Sequence, residues 1–355
     1  MFHLSLLCFF LGWTSLYACT GIKLMARDGA IVHGRTMEFG LELEPSLVVV
    51  PRGQVFSGTT SLGSGITWRA KYGALGMIAF HQPAILDGIN EAGLCVGTFY
   101  FPGYAEYAQI QEDNLPLSLS PVEFPHWILT QFATIEEVRA ALSRIVIAST
   151  SCEPWKIVPP FHYLVFDKKG KCIVIEPVQG QLAVYENKLG VLTNSPAFNW
   201  HMNYLRNFIH LAPELAKPLK WHGIDVAAQG ASIVGMPGDF TATSRFVRAA
   251  LLSTHALRSE NSDSAVYDAF HILNQFDIPF GVVREEKAGL SSAHTALTCV
   301  RDPQALKYYF KTYQDPSIRM VDLNQFDLNE PYIKRIRVAQ TDQPSPAADI
   351  SSELE

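Results

Sequence analysis

The sequence has few charged residues and no dense basic cluster. Charged residues make up 17% of the 355 residues, and the formal net charge is −6. The densest basic stretch is the short run from Lys334 to Arg337, so the sequence gives little support to nucleic-acid binding, which depends on a basic patch. The hydrophobic fraction of 48% is instead typical of a globular protein with a large core.

The sequence also lacks the motifs of several catalytic classes. It contains no HExxH zinc motif, no clustered CxxC pair and no glycine-rich phosphate loop. The G-x-S-x-G nucleophile elbow is absent as well, which disfavours a serine hydrolase. The 11 histidines form no ligand-like cluster. We therefore expect the protein to need neither a metal nor an organic cofactor.

Long apolar runs are equally scarce, and the one at the amino terminus is too short for a membrane span. Leu4 to Tyr17 is uncharged and apolar, whereas a spanning helix needs about 20 apolar residues. The small residue Ala18 follows it, as expected at a signal-peptide cleavage site. We therefore predict that residues 1–18 are a signal peptide and that the protein is exported, periplasmic or secreted. The alternative is a buried N-terminal helix.

Cleavage after Ala18 makes Cys19 the first residue of the mature chain, and three roles are open to it. Cys19 is half of a disulfide, the lipidated cysteine of a lipoprotein, or a catalytic nucleophile whose own α-amine acts as base. The third role is chemically economical, because a thiol of pKa about 8.5 is only a few per cent ionised at pH 7. An α-amine of pKa about 7.7–8.0 on the same residue is a nearby proton acceptor.

The other cysteines are few. Cys8 leaves with the signal segment, so the mature chain keeps five, and an odd count indicates at least one free thiol. Cys95, Cys172 and Cys299 lie within apolar runs. We interpret the four cysteines other than Cys19 as buried thiols, the alternative being up to two disulfides.

Apolar periodicity predicts an α+β protein. Strands are expected at Leu75–Phe80, Leu94–Phe101, Tyr163–Phe166, Cys172–Ile175 and His294–Val300. Helices are expected from the capping box at Thr134 to about Val146, and at Phe198–Ile209, Ser244–Leu257 and Ser264–Phe276. Strands and helices do not alternate regularly, which argues against a doubly wound sheet. A tail rich in Ser, Pro, Asp and Glu, residues 340–355, is predicted to be disordered.

The first segment after the predicted cleavage site, Thr20 to Phe39, is typical of a β-hairpin with Asp28-Gly29 as its turn. A two-residue loop would place Cys19 directly opposite Glu38, with Cβ atoms about 5 Å apart. In that register the Glu38 carboxylate is positioned to bind the α-ammonium. Arg35 would then face the other side of the hairpin and approach the thiol only through a bulge or twist. The alternative is a surface hairpin with both charges in solvent.

Several segments, in order along the chain, resemble the choloylglycine hydrolase family of linear-amide hydrolases, which includes bile salt hydrolases and penicillin V acylases. The segments are Cys19-Thr20-Gly21, Asp28-Gly29, Gly34–Phe39, Asp87–Leu94, Leu192–Pro196, Pro237–Phe240, Ser244–Arg248, Tyr308–Phe310 and Asp322-Leu323. The resemblance implies the N-terminal nucleophile hydrolase fold, a four-layer αββα sandwich, over residues 19–339. It also implies a homo-oligomer, since family members are commonly homotetramers.

The resemblance gives a role to six residues. Cys19 matches the nucleophile, Arg35 the arginine beside the thiol, Glu38 a position where many members have aspartate, Asn194 the asparagine that donates to the oxyanion, Asn90 the second oxyanion position (tyrosine in some acylases), and Arg245 the arginine that anchors the hydrogen-bond network. At position 38, glutamate keeps the negative charge of aspartate, but its side chain is one methylene longer. Without the resemblance, Asn90 and Asn194 would be interpreted as turn residues and Arg245 as a helix surface residue.

The activity implied is hydrolysis of a small acyl amide through a thioester, with a conjugated bile salt, penicillin V or an N-acyl homoserine lactone as the substrate. Pocket loops are expected at Phe39–Val50, Phe99–Tyr107 and Ser120–Trp127. The aromatic residues of the second loop indicate either an apolar acyl pocket or side chains that anchor the loop. The main alternative is a membrane-anchored lipoprotein or binding module of the same fold without turnover. A papain-like protease is a weaker alternative, because no Cys-Gly-Ser-Cys context appears.

Overall fold

The computed structural model describes residues 18–40, 44–79, 82–153, 156–227, 229–285 and 291–338. The predicted signal segment up to Tyr17 and the predicted tail of residues 340–355 lie outside the described residues. Both therefore stay predictions, and the same holds for residues 41–43 of the first expected pocket loop.

Strands are the commonest regular structure of the described chain. The strands are β1 (Ala18–Met25), β2 (Ile31–Phe39), β3 (Ser46–Val50), β4 (Val55–Thr60), β5 (Gly63–Arg69), β6 (Ala74–Ile78), β7 (Asp87–Asn90), β8 (Cys95–Tyr100), β9 (Ser118–Leu119), β10 (Val146–Ile147), β11 (Phe161–Phe166), β12 (Cys172–Val178), β13 (Gln181–Glu186), β14 (Leu219–Trp221), β15 (Ile224–Val226), β16 (Val283–Glu285), β17 (Ser291–Asp302), β18 (Lys307–Thr312), β19 (Arg319–Asp322) and β20 (Lys334–Arg337). The α-helices are α1 (Phe124–Gln131), α2 (Ile135–Leu142), α3 (Phe198–Leu205), α4 (Ala242–His255) and α5 (Ser262–Leu273).

Two large sheets form the centre of the molecule. The smaller has the order β1-β2-β17-β18-β19, with β16 paired to β17, and the larger has the order β13-β12-β11-β8-β7-β6-β3-β20. An apolar core containing residues of both sheets fills the space between them. Helices α4 and α5 pack on the smaller sheet, and α1 and α2 share a second apolar core with the outer face of the larger sheet. The architecture is the four-layer αββα sandwich, as predicted.

The expected helices and strands are present, with small shifts at their ends. The Thr134 hydroxyl accepts from the Glu137 backbone N–H at 3.2 Å, as a helix N-cap does. Helix α2 nevertheless ends at Leu142, because Val146 belongs to the short strand β10. The five described cysteines are all buried free thiols, which confirms that interpretation for Cys95, Cys152, Cys172 and Cys299. None of the described helices is long and apolar enough to cross a bilayer.

The predicted register of the first hairpin is wrong by one residue. Cys19 pairs with Met37, and Glu38 pairs with Ala18. The backbone N–H of Ala26 donates to the carbonyl of Ala30 at 2.8 Å, so the loop has three residues instead of two. The third of them, Gly29, has φ +86°, a conformation that glycine adopts without strain. Since side chains alternate between the faces of a strand, this shift exchanges the two faces of β2 relative to Cys19.

Candidate active site

Cys19 is the second residue of β1, and its side chain points into the space between the two sheets. Only 3% of the residue is exposed. Its thiol lies at the base of a pocket whose lining is otherwise almost entirely apolar. The lining residues are Cys19, Arg35, Met37, Phe39, Met77, Ala79, Leu86, Thr98, Tyr100 and Phe161.

The corrected register puts Arg35 on the same face of the hairpin as Cys19. The Arg35 Nη2 lies 2.8 Å from the Cys19 Sγ. No bulge between β1 and β2 is needed for this contact, because Cys19 faces Met37 and Arg35 is two residues further along the same side of β2. The arginine expected beside the thiol is therefore in contact with it.

Arg35 is held on three sides. Its Nη1 donates to the carbonyl of Thr98, and its guanidinium lies 4.2 Å from the centre of the Phe99 ring. Gly21 makes room for that ring, since a Cβ at position 21 would come within 2.8 Å of Phe99 Cζ. The glycine of the Cys19-Thr20-Gly21 motif thus permits the packing that orients the arginine.

Asp87 provides the third contact and joins the two sheets behind Arg35. Its Oδ2 lies 3.5 Å from Arg35 Nη1 and 2.8 Å from Arg301 Nη1. Its Oδ1 accepts from the Tyr308 hydroxyl at 2.9 Å. Asp87 belongs to the larger sheet and its three partners to the smaller one. A single buried carboxylate between two arginines leaves a net positive environment beside the thiol.

The thiol is nevertheless not predisposed to ionise. Burial raises the pKa of the Cys19 thiol above its ordinary value, and this outweighs the opposing effects of Arg35, Arg245 and the Tyr100 backbone. Glu38 adds to the increase in pKa. A nucleophilic Cys19 therefore requires a base that takes its proton during the reaction.

Asn194 and Arg245 lie on either side of the Cys19 backbone. The backbone nitrogen of Cys19 donates to Asn194 Oδ1 at 2.9 Å, and Arg245 Nη2 donates to the same oxygen at 2.6 Å. Arg245 Nη1 also donates to the Cys19 carbonyl and to the Thr20 hydroxyl. Arg245 is 2% exposed, so it is an internal anchor of the site and not a helix surface residue.

Asn194 reaches the site because β1 fixes the segment in front of it. Gly21 and Leu192 exchange backbone hydrogen bonds of 2.7 and 3.2 Å. The Asn194 Nδ2 then donates to the Tyr100 carbonyl at 2.8 Å. A side-chain amide carries two hydrogens, and this bond uses one of them.

Glu38 lies on the other face of β2, towards helices α4 and α5. Its Oε1 accepts from the Thr295 hydroxyl at 3.2 Å, and its Oε2 is buried without a hydrogen-bond partner among the described residues. Burial raises the pKa of Glu38 to about 7, although Arg245 acts in the opposite direction. Glu38 is thus neither solvated nor directly opposite Cys19, and it acts on the thiol through its charge.

A family model of linear amide C–N hydrolases, the choloylglycine hydrolase family, matches residues 19–336. The chain belongs to this family. Bile salt hydrolase/transferase from Clostridium perfringens is 32% identical over 330 residues, which cover 91% of this chain and 98% of that protein. Penicillin V acylase from Pectobacterium atrosepticum is 24% identical over 347 residues, covering 91% and 86%.

Solved structures agree with this assignment. A variant of conjugated bile acid hydrolase from Clostridium perfringens superposes with a TM-score of 0.83 at 29% identity, covering 93% of this chain and 99% of that one. Penicillin V acylase from Agrobacterium tumefaciens has the same fold, with a TM-score of 0.73 at 23% identity. This choloylglycine hydrolase family member is therefore a hydrolase of linear amide C–N bonds with the N-terminal nucleophile hydrolase fold.

One residue assigned from the family resemblance is not in the site. The Asn90 Nδ2 donates to the carbonyls of Leu129 and Phe132 at 2.8 and 2.7 Å. Its Oδ1 accepts from the backbone of Ala92 and Leu94 at 3.0 Å each. The amide is fully used in shaping the turn after β7, which contradicts the assignment of Asn90 as an oxyanion donor.

The backbone N–H of Tyr100, and not the Asn90 amide, lies at the Cys19 thiol. The bond from Phe101 N–H to the Pro160 carbonyl (2.7 Å) makes that pair a hydrogen-bonded one. The neighbouring pair, Tyr100 with Phe161, is then a non-hydrogen-bonded pair, so the Tyr100 N–H points away from β11. A backbone hydrogen bond from Tyr100 lowers the pKa of the Cys19 thiol. Some acylases have tyrosine at the second oxyanion position, and this was the signal that could have identified Tyr100.

Of the three expected pocket loops, two contribute to the pocket. Phe39 and Tyr100 line it, whereas Phe124 and Trp127 of the third loop belong to the core between the larger sheet and its helices. The aromatic residues of the second loop divide their roles. Tyr107, for example, anchors the loop by donating to the Pro159 carbonyl at 2.7 Å.

Proposed function

We propose that the protein is an exported cysteine amidase whose mature chain begins at Cys19 and which cleaves its substrate through a thioester on that residue. The observation that carries this proposal is the 2.8 Å contact between Arg35 Nη2 and the Cys19 Sγ at the base of an apolar pocket. A fixed guanidinium at a buried sulfur stabilises the thiolate as it forms.

The base we assign is the α-amine of Cys19 itself. Removal of residues 1–18 converts the Cys19 backbone nitrogen into an amine on the same residue as the thiol. That nitrogen already donates to Asn194 Oδ1 at 2.9 Å, so the amine starts from a defined position. The need for a base follows from the raised pKa of the buried thiol.

The reaction proceeds in two steps. The amine takes the thiol proton, the sulfur attacks the amide carbonyl carbon, and the leaving amine departs with the proton from the ammonium. Water then attacks the thioester carbonyl carbon and gives up a proton to the α-amine. The C–S bond breaks, the acid leaves, and the ammonium returns the proton to the sulfur. The backbone N–H of Tyr100 and the second Nδ2 hydrogen of Asn194 donate to the oxyanion of each tetrahedral intermediate, an interaction whose loss typically costs ~10²–10³ in rate.

The pocket indicates an apolar acyl group. Met37, Phe39, Met77, Leu86 and Phe161 line it, and these side chains offer no hydrogen bond to a polar acyl chain. We propose that the substrate is a small acyl amide such as a conjugated bile salt, penicillin V or an N-acyl homoserine lactone. The relatives named for bile salts and for penicillin V support this set.

We also propose that the enzyme is a homo-oligomer, a tetramer by family resemblance. The hairpin of β14 and β15 supports association, because its apolar residues are exposed: Trp221 is 60% and Ile224 68% accessible. Light scattering of the purified protein measures the oligomeric state. Replacing both residues with serine should lower the mass to that of smaller species.

The proposal is tested with the full chain expressed with its own first 18 residues. Top-down mass spectrometry of the envelope fraction should show a chain that begins at Cys19 with an unmodified amine. The same protein should release free amine from at least one of conjugated bile salts, penicillin V and N-acyl homoserine lactones. A diacylglyceryl adduct on Cys19 would favour the membrane-anchored lipoprotein, and full activity in a chain that retains Ala18 would exclude the α-amine as base.

A further inference from the structure

A fully buried histidine–glutamate pair lies behind the proposed oxyanion groups. His162, in β11, and Glu176, in β12, are both 0% exposed. The His162 Nδ1 lies 3.2 Å from Glu176 Oε1, and its Nε2 lies 3.1 Å from the Thr193 carbonyl oxygen. Neither residue belongs to the six that the family resemblance marks.

The hydrogen-bond partners fix the orientation of this pair. A backbone carbonyl only accepts, so the His162 Nε2 carries a hydrogen. Glu176 Oε1 also accepts from the backbone N–H of Phe198 at 2.9 Å. Glu176 Oε2 is buried without a hydrogen-bond partner among the described residues. A single carboxyl oxygen thus joins the imidazole to the start of α3.

The pair holds both ends of the segment that carries Asn194. His162 binds the Thr193 carbonyl, directly before Asn194, and Glu176 binds the Phe198 N–H, at the start of α3. Between these points, His201 Nε2 lies 2.9 Å from the Asn194 carbonyl oxygen. The Asn194 side chain therefore projects from a segment fixed on each side by the hydrogen-bonded pair of His162 and Glu176.

The same imidazole also supports the strand that carries Tyr100. The ring of Phe101 stacks on His162 with centroids 4.3 Å apart and an interplanar angle of 6°. Phe99, on the other side of Tyr100, makes an edge contact with the ring at 6.1 Å. The two groups assigned to the oxyanion thus flank one histidine, on two separate chain segments.

We propose that His162 and Glu176 form a positioning pair that sets the distance between the Asn194 amide and the Tyr100 N–H, and so the geometry of the oxyanion site. This inference rests on the proposed function for its catalytic consequence. The pair does not touch the substrate or the sulfur. Its loss should therefore lower kcat with little change in KM, since displacing an oriented group by about 1 Å can cost on the order of 10² in rate.

The test compares His162→Phe with His162→Gln in the mature enzyme. Phenylalanine keeps the aromatic stack and removes both hydrogen bonds, whereas the glutamine amide can still donate to the Thr193 carbonyl. We expect kcat to fall by at least about tenfold in His162→Phe with KM within about threefold, and the glutamine variant to recover most of the loss. Glu176→Gln should fall between them, because it keeps an oxygen that accepts from the Phe198 N–H and alters only the contact with His162.

His126 offers a matched control for the cost of altering a buried histidine. It is 1% exposed and lies in the other core, where its Nδ1 accepts from the Ile85 N–H at 3.4 Å. His126→Phe should change the denaturation midpoint without changing kcat in the folded enzyme. An equal loss of kcat in His126→Phe and His162→Phe would reduce the role of His162 to stability and overturn the proposal.

Two further measurements separate this inference from the proposed function. Alkylation of Cys19 by iodoacetamide forms no oxyanion, so His162→Phe should lower the alkylation rate much less than it lowers kcat. Hydrogen exchange of peptides covering residues 192–198 should be faster in His162→Phe, whatever the enzyme hydrolyses. Wild-type enzyme without any amidase activity would contradict the proposed function alone. Unchanged exchange in this segment together with unchanged kcat would contradict the positioning pair alone.

Discussion

The two faces of β2 differ in how completely their charged groups are paired. On the face between the sheets, Arg35 has a partner at each nitrogen: Thr36, Thr98, Asp87 and the Cys19 thiol. On the face towards the helices, Glu38 Oε1 accepts from Thr295, and Arg245 and Thr36 lower the pKa of the carboxyl, but its Oε2 is buried without a hydrogen-bond partner among the described residues. The cation at the thiol thus has a partner at each nitrogen, whereas one oxygen of the Glu38 carboxyl has no hydrogen-bond partner among the described residues.

The difference between the two faces of β2 belongs to a chain in which Ala18 still precedes Cys19. Ala18 is paired with Glu38, and a peptide nitrogen at Cys19 carries no charge. Cleavage would create an ammonium at this end of β1, next to the strand position of Glu38. The proposed cleavage would therefore leave the face with Arg35 unchanged and would add a second cation, besides Arg245, near the strand position of Glu38.

The largest effect is expected from removing the Cys19 thiol, on which Arg35 and Glu38 act from the two faces of β2. Cys19→Ala should abolish amide hydrolysis while the fold is kept, because it removes one sulfur at the end of a strand. Activity is measured by amine release and the fold by circular dichroism and thermal unfolding. Residual turnover above the uncatalysed rate in the folded variant would show that another group is the nucleophile.

The next largest effect is expected at Arg35, on the face of β2 between the two sheets. Arg35→Gln removes the cation that contacts the sulfur, and an opposite charge at this distance typically shifts a pKa by about 1–3 units. The thiol pKa should rise, and the pH dependence of Cys19 alkylation should move to higher pH by an amount in this range. Arg35→Lys keeps the charge and is the control. An alkylation profile that coincides with wild type in Arg35→Gln would mean that the contact has no electrostatic role.

Asn194 and Asn90 form a matched pair of buried asparagines. Asn194→Ala should lower kcat by about 10²-fold with a smaller change in KM, as expected for a donor used mainly in the transition state. Asn90→Ala should lower stability, because it leaves backbone groups of the β7–β8 turn unpaired, and should leave kcat of the folded enzyme near wild type. The reverse result, with kcat lost in Asn90→Ala, would restore Asn90 as the oxyanion donor in place of Tyr100.

The smallest effect is expected from a change at Glu38, on the face of β2 towards the helices. Glu38→Gln removes an anion that raises the thiol pKa and that should also favour the charged α-amine. The acidic limb of the kcat/KM profile should therefore move to lower pH. Profiles that superimpose for wild type and Glu38→Gln would mean that this carboxylate has no electrostatic part in the site.

The same variant gives a stability test in chains that retain Ala18. The folded carboxyl has a pKa raised to about 7 from an ordinary value of 4.5, so the folded state holds its proton where the unfolded state has released it. Stability should fall as pH rises from about 4.5 to 7, by at most about 3 kcal/mol. Urea denaturation at pH 5 and pH 8 should show this loss in wild type and a smaller one in Glu38→Gln. An equal loss in both proteins would show that Glu38 does not titrate in this range.

Sequence reasoning succeeded where the signal was local. The N-cap at Thr134 and the apolar repeats of α4 and α5 are set by neighbouring residues, and the order of motifs identified the fold. The register of the first hairpin was missed because Asp28-Gly29 fits both a two-residue turn and a three-residue loop ending in a left-handed glycine. That single residue decided whether Arg35 or Glu38 shares a face with the thiol.

The error at Asn90, and what the residues alone could not reveal without the family resemblance, depend on tertiary contacts. Asn90 and Asn194 both follow strand-like segments in the sequence, and only their partners distinguish a turn amide from a site amide. The burial of Arg245 depends on α4 packing over β1, which no helical repeat reveals. The pairing of His162 with Glu176 requires two adjacent strands and a third segment that ends at Thr193.

The central claim is that Cys19 of the mature chain carries the acyl group during turnover. Acid quenching during the reaction with a good substrate, followed by intact and N-terminal-peptide mass spectrometry, measures this directly. The account predicts one acyl adduct per chain, lost with hydroxylamine and located on a peptide that begins at Cys19, with no adduct in Cys19→Ala. Rapid turnover with the acyl group on another residue, or with the adduct on a chain that still carries Ala18, would contradict it.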